Sequence, residues 1–133
     1  MAIKISGTNV IDDSRNLTGV SMKAVRYDET SVSLSGTTPT VDLAAGNHFK
    51  ISTSGNTTFA FSNPPSSGTA QKFVITVTAG GAHTHTWPAA VTWIEGADAP
   101  SPPDSGDTSN FEFITVDGGT TYYGSLATTG AVN

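Results

Sequence analysis

Short runs in which apolar and polar residues alternate constrain the fold of this chain more than any other feature. In the clearest run, residues 72–78, Phe73, Ile75 and Val77 occupy every second position. Alternation of this kind places one set of side chains on each face of a β-strand. No stretch of ten residues sustains an apolar helical period, and 21 Thr and 15 Ser enrich the chain in residues that suit half-exposed strands. The pattern predicts an all-β fold.

Turn-forming residues between the runs predict how the strands connect. Residues 49–53 and 57–61 flank a three-residue loop that contains Gly55, a spacing typical of a β-hairpin. Residues 111–116 and 121–126 flank Asp117-Gly118-Gly119 and predict a second hairpin. Residues 83–87 are expected to pair back onto the 72–78 run. About eight short strands joined by such turns predict an antiparallel β-sandwich of jelly-roll type.

The first thirty residues differ from the rest of the chain, because short apolar pairs mix there with turn formers. We therefore expect an extended N-terminal arm at 1–30, which would gain order by packing against other copies, and a β-sandwich domain at 31–133. Phe113 and Ile114 are adjacent, so both are buried only if one faces a second layer or a neighbouring subunit. The expected core residues are Phe49, Ile51, Phe59, Phe61, Phe73, Ile75, Val77, Trp93, Phe111, Phe113 and Ile114.

Charge and composition exclude several classes of function. The formal net charge is -5, and the six basic residues are dispersed, which argues against nucleic-acid binding through phosphate neutralisation. The absence of cysteine excludes disulfides, thiolate metal sites and cysteine nucleophiles. No run of 18 apolar residues exists, and the N-terminus lacks the apolar region of a signal peptide. We expect a chain that is made in a cytosol, stays soluble and does not insert into membranes.

Two histidines are the candidate metal ligands. His83 and His85 are two residues apart, so in a strand they point to the same side and could chelate one edge of a metal ion. Three such pairs around the axis of a trimer would suit zinc or iron. The alternative is two solvated histidines beside a Gly-Gly turn, with His48 elsewhere.

Three acids share a loop rich in Pro, Ser and Gly: Asp98, Asp104 and Asp107. Their carboxylates could gather a calcium ion, although the spacing fits no known calcium loop, and solvated loop acids are the alternative.

Four aromatic residues could form a patch on which a sugar ring stacks: Trp87, Trp93, Tyr122 and Tyr123. The alternative is that Trp87 and Trp93 pack in the core or at a subunit interface.

Catalysis has little support in the sequence. No serine lies in a G-x-S-x-G context, and no glycine-rich loop opens a helix to hold phosphate. We predict that the chain is not an enzyme and that it uses no cofactor.

Two stretches, residues 7–20 and residues 46–126, resemble bacteriophage virion proteins. Residues 7–20 read GTNVIDDSRNLTGV, which resembles a segment common in tail-fibre and other appendage proteins of phages, especially marine and cyanobacterial ones. Three later blocks occur in order and look like a β module of such proteins. They read NTTFAFSNPPSSGTA at 56–70, TWPAAVTW at 86–93 and DGGTTYYG at 117–124.

The resemblance implies a structural protein of the virion, assembled in the host cytoplasm. The leading expectation is a homotrimeric tail fibre or fibre tip that contributes to host attachment. Residues 1–30 would contact other virion proteins, and the β domain would face the host, where a surface glycan is a further expected partner. The alternative is a capsid decoration protein or head fibre, and a polysaccharide-degrading enzyme is a distant third.

A physical argument also favours the trimer. Strands that are apolar on both sides, such as those with Val74 beside Phe73 and Val116 near Phe113, leave apolar surface after one small domain closes. Burial between symmetric copies would contribute about 25 cal/mol per Å².

Overall fold

The structure, a computed structural model, describes residues 3–5, 8–11, 37–94 and 98–130. Near the N-terminus, β1 (Ile3–Ile5) pairs with β2 (Thr8–Ile11) in antiparallel fashion. Residues 12–36 lie outside the described part, and they contain most of the predicted arm and its boundary at residue 30. The division into an arm and a domain therefore stays a prediction.

The rest of the described chain contains nine further strands. Five of them form one sheet in the order β4-β7-β10-β11-β9, while β3 pairs with β6 and β5 pairs with β8. The described residues contain no helix, which confirms the all-β class. The strand bounds are β3 Thr40–Asp42, β4 His48–Thr53, β5 Thr57–Thr58, β6 Ala60–Ser62, β7 Gln71–Ala79, β8 His85–Thr86, β9 Val91–Trp93, β10 Thr108–Thr115 and β11 Tyr122–Gly130.

The sheets are mixed, so the expectation of purely antiparallel pairing is wrong. Of the seven strand pairs in the described chain, four are parallel: β4–β7, β9–β11, β3–β6 and β5–β8. The reason for the β4–β7 pair is that β5 and β6, which separate these strands in sequence, lie in other sheets. The chain leaves β4, passes through β5 and β6, and returns to β7 in the same direction as β4, as parallel pairing requires.

One of the predicted hairpins is confirmed and one is wrong. Strands β10 and β11 pair in antiparallel fashion around Gly118 and Gly119, whose φ angles of 74° and 79° favour glycine. The hairpin expected around Gly55 does not form, because β4 pairs with β7 and β5 pairs with β8. For the same reason residues 83–87 do not pair back onto β7. The turn at Gly55 carries the chain out of the large sheet instead.

The core lies on one face of the five-stranded sheet, here called the inner face. Eight of the eleven expected core residues are buried, while Phe61 and Trp93 are partly buried. Ile114 is 38% exposed, and its assignment to the core is wrong because Phe113 takes the inner face and alternation turns Ile114 outward. The core also contains four large residues that the expected core set did not include: Val41, Leu43, Trp87 and Tyr122.

The pairs β3–β6 and β5–β8, here called the two short ribbons, lie over the inner face and contribute side chains that cover it. The ring of Phe61, in β6, lies 5.3 Å from the rings of Phe73 and Phe113 and 4.9 Å from that of Tyr122, centroid to centroid. These edge-on arrangements are favourable for aromatic pairs. The opposite, solvent-facing side of the sheet is called the outer face below.

Candidate functional site

The structure places His83 and His85 close together, at the ribbon formed by β5 and β8. The ring of His85 packs edge-on against Phe59 and Trp87, at centroid distances of 5.4 and 6.4 Å. Both of its ring nitrogens are buried, without a hydrogen-bond partner among the described residues. Burial, and secondarily the charge of His83, lower the pKa of His85 below 6.5.

No third ligand joins this pair within the described chain. The described residues contain no group of three or more His, Cys, Asp or Glu side chains that could hold a metal ion. A metal at His83 and His85 would therefore depend on symmetry-related copies, and it stays a prediction. His48 lies elsewhere, on β4.

The three loop acids are likewise not brought together as a metal cluster in the described part of the chain. The backbone amide of Asp107 donates to the carbonyl of Asp104 at 2.8 Å, which is turn geometry. The calcium hypothesis for Asp98, Asp104 and Asp107 gains no support from this arrangement.

The four candidate sugar-stacking aromatics do not share one surface. Trp87 and Tyr122 are buried and Trp93 packs partly buried against the core, whereas Tyr123 is 45% exposed. The ring of Trp87 stacks on Phe59 at 4.2 Å with an interplanar angle of 11°. The alternative interpretation, core packing of the two tryptophans, is confirmed, and Tyr123 alone of the four presents much of its ring to solvent.

A row of hydrogen-bonded polar side chains crosses the outer face. His48 Nε2 lies 2.8 Å from Thr76 Oγ1, Thr76 donates to Asn110 Oδ1 at 2.6 Å, and Asn110 Nδ2 donates to Thr128 Oγ1 at 2.8 Å. These residues belong to β4, β7, β10 and β11, so the polar row ties four strands together. Because the Thr76 proton is used on Asn110, His48 must donate from Nε2, which leaves Nδ1 as its acceptor when neutral.

Beside the polar row lies a depression of about 440 Å³, here called the polar groove, lined by Asn47, His48, Lys72, Phe73, Val74 and Glu112. The ammonium of Lys72 is 3.1 Å from Glu112 Oε2, so the two formal charges on the groove compensate each other. Asn47 Nδ2 donates to the carbonyl of Lys72 at 2.7 Å. The groove volume falls within the range of small-ligand sites.

An apolar patch borders the polar groove on the outer face. It consists of Ile94, Ile114 and Tyr123, which are 64%, 38% and 45% exposed. These three residues line a common depression of about 200 Å³, and Lys72 and Glu112 of the polar groove line it as well. Ile114 pairs directly with Tyr123 across β10 and β11. Val116, near the end of β10, is also exposed. Large side chains grouped in this way are typical of contact surfaces.

Sequence reasoning missed the polar groove. Its side chains come from three strands whose pairing is long-range, and the polar positions of an alternating run look alike in sequence. Alternation along a strand places Lys72 and Glu112 on the sides opposite Phe73 and Phe113, but it does not indicate that β7 and β10 are neighbours.

The described residues include no helix that is long and apolar enough to span a membrane. Comparisons with protein-family models, with curated proteins and with solved structures gave no match.

Proposed function

We propose that this chain is a non-enzymatic structural module of a bacteriophage virion, a homotrimeric tail fibre or fibre tip that contributes to host attachment. In this proposal the two short ribbons and the five-stranded sheet are the layers of a β-sandwich, residues 1–30 contact other virion proteins, and the outer face is the working surface.

The observation that carries the proposal is that the three separated blocks of the resemblance pack against one another. Phe59, from the first block, stacks on Trp87, from the second. Phe61, from the first, contacts Tyr122, from the third, at 4.9 Å. A Cβ on Gly124 would lie 3.0 Å from the ring of Trp93, so the third block also closes on the second. Such contacts are expected if the blocks are the packing signature of one module.

The non-enzymatic part of the proposal rests on the sequence, which offers no nucleophile or acid–base constellation. Glu112, the carboxylate at the polar groove, is compensated by Lys72 at 3.1 Å. We expect the purified chain to release no reducing sugar from host polysaccharide. Release that Glu112→Gln abolishes would favour the polysaccharide-degrading alternative.

The apolar patch supports the trimer, because burying exposed aliphatic side chains against a second copy lowers the free energy. Analytical ultracentrifugation should show a trimer at micromolar concentration for the natural chain. Ile114→Lys should shift the equilibrium to monomer, while the control Ser52→Lys, an exposed position on β4, should leave it unchanged. A chain that remains monomeric throughout would overturn this part.

The virion location is tested by electron microscopy of purified phage labelled with an antibody to this chain. Gold at the tail tip or fibres is the expected result. Label on the head would favour the capsid decoration protein or head fibre, and absence from the particle would overturn the proposal.

A further inference from the structure

The polar groove is built from three neighbouring strands of the sheet. His48 on β4, Val74 on β7 and Glu112 on β10 are register partners and form one row across the outer face. Because neighbouring strands are about 4.8 Å apart, the first and last of these residues are about 10 Å apart along the row. Asn47 and Lys72 complete the rim at one end. The groove can therefore hold a ligand of roughly one or two small rings.

A ligand in this groove meets side chains and little backbone. Strand β7, at the centre of the groove, is paired on one side with β4 and on the other with β10, so its amides and carbonyls are used within the sheet. Extended peptides bind mainly by adding to an open strand edge, and β7, at the centre of the groove, offers none. Recognition must therefore come from side-chain groups, which favours a ligand that carries many hydrogen-bonding groups of its own.

The hydrogen-bond donors and acceptors that the groove leaves available match hydroxyl groups. Asn47 keeps its Oδ1 as an acceptor because its Nδ2 donates to the Lys72 carbonyl, and His48 keeps Nδ1 because its Nε2 donates to Thr76. Glu112 adds a carboxylate acceptor and Lys72 an ammonium donor. A hydroxyl both donates and accepts, so two adjacent hydroxyls can bond to the carboxylate and the ammonium together.

The charge of the groove and the apolar side chain at its base restrict the class of ligand further. The two formal charges that line the groove cancel, and the described groove shows no surplus of cationic groups for a phosphate or polyanion. The side chain of Val74, half-buried, provides an apolar floor against which the C–H face of a ring can pack. We infer that the polar groove binds a neutral saccharide, with Asn47, His48, Lys72 and Glu112 bonding its hydroxyls. The inference rests on the proposed function, for which it names the ligand class and the site.

The polar row prepares the groove for binding. Thr76 and Asn110 hold the His48 ring by a continuous set of hydrogen bonds, and the Asn47 amide is fixed on the backbone of β7. Groups held in place before binding lose less conformational entropy when the ligand arrives.

The test is nuclear magnetic resonance titration of the isotope-labelled full chain with a panel of neutral oligosaccharides built from hexoses, N-acetylhexosamines and deoxyhexoses. At least one probe should shift the amide signals of Asn47, His48, Val74 and Glu112. Glu112→Gln should weaken that binding by about tenfold or more, because a hydrogen bond to a charged group is lost. The matched control Asp104→Asn, an exposed loop acid that does not line the groove, should bind as the natural chain does.

Three results would overturn the inference: no perturbation by any neutral probe, perturbation centred away from the groove, or binding to acidic oligosaccharides alone. A folded spectrum for Glu112→Gln separates loss of the site from loss of the fold. This titration is independent of the location of the chain, so antibody label on the virion without binding defeats the inference alone. Groove binding by a chain that is absent from the virion defeats the proposed function alone.

Discussion

The two faces of the five-stranded sheet are built from the same strands, yet they differ in almost every physical respect. The inner face carries Phe73 and Phe113, whose stacked rings are at most 1% exposed. The outer face carries the polar row, the Lys72–Glu112 pair and the apolar patch. Because the side-chain period is two, residues that alternate along one strand are buried in the core on one side and lie on the outer face on the other. Substitutions at adjacent positions should therefore separate the stability of the fold from the binding that we propose for the outer face.

The largest expected effect is at Phe113. Its ring lies within 5.6 Å, centroid to centroid, of four other aromatic rings, those of Phe61, Phe73, Trp87 and Trp93. We expect Phe113→Ala to lower the free energy of unfolding by about 3–5 kcal/mol, from lost burial and the cavity left behind. Urea denaturation of the same chain with Ile114→Ala provides the control from the neighbouring position. An equal loss at Ile114 would show that the two faces are not distinct in stability.

A smaller loss is expected at Gly124 on the inner face. A Cβ there would lie 2.9 Å from Cε1 of Phe113 and 3.0 Å from Cζ3 of Trp93, both tighter than normal contacts. Gly124→Ala should destabilise the fold by about 1–3 kcal/mol through overpacking. Thermal unfolding would measure the loss, and Ser125→Ala, one position along the strand, should change little. An unchanged midpoint for Gly124→Ala would contradict the packing described between β9 and β11.

Acid should lower the stability of the fold through His85, which lies on β8. Burial, then the charge of His83, lower the pKa of His85, so the unfolded chain binds more protons than the folded chain below pH 6.5. The contribution to stability is therefore fully present above pH 6.5 and is lost as the pH falls towards the lowered value. The pKa of Asp117 is lowered chiefly by the hydrogen bond from the Thr121 amide. Its contribution to stability is therefore lost only as the pH falls below the usual value of 3.8.

The check is the unfolding free energy of the natural chain and of His85→Leu between pH 7 and pH 5. The natural chain should lose more stability over this interval than His85→Leu does. Equal slopes for the natural chain and His85→Leu would show that His85 is not the group responsible.

The smallest effect is expected in the polar row. Thr76→Val removes the hydroxyl that links His48 to Asn110, and we expect a loss of about 0.5–1.5 kcal/mol, partly offset by the strand preference of valine. Comparison with Thr78→Val, which loses a single bond to Thr108, sharpens the prediction. A loss as large as that of Phe113→Ala would mean that the outer face also stabilises the fold.

The parts of the fold that depend on local pattern could be predicted from the sequence. The alternation in β7 and the Gly118-Gly119 turn between β10 and β11 are readable because each involves residues close along the chain. The pairing of β4 with β7 could not be predicted, because it joins residues 26 positions apart and the local turn at Gly55 favoured a competing hairpin.

The candidate site was less predictable than the core. Apolar residues concentrate in the core wherever the strands pair, so Phe49 and Phe111 could be assigned without the topology. Asn47, Lys72 and Glu112 line one groove only because β4, β7 and β10 are neighbours in the sheet, which the sequence does not indicate. Likewise Tyr122 and Tyr123 look equivalent in sequence, and only the register of β11 decides that the first is buried and the second exposed.

We propose that the outer face is divided between an apolar patch that contacts other copies and the polar groove beside it, which remains open to ligand. The chain has no cysteine, so single cysteines can be introduced and labelled with a thiol reagent. At low protein concentration, Ile114→Cys and Ser52→Cys should react at similar rates. At the concentration where trimers form, Ile114→Cys should become protected while Ser52→Cys still reacts freely. Protection of Ser52→Cys with Ile114→Cys left reactive would contradict the division.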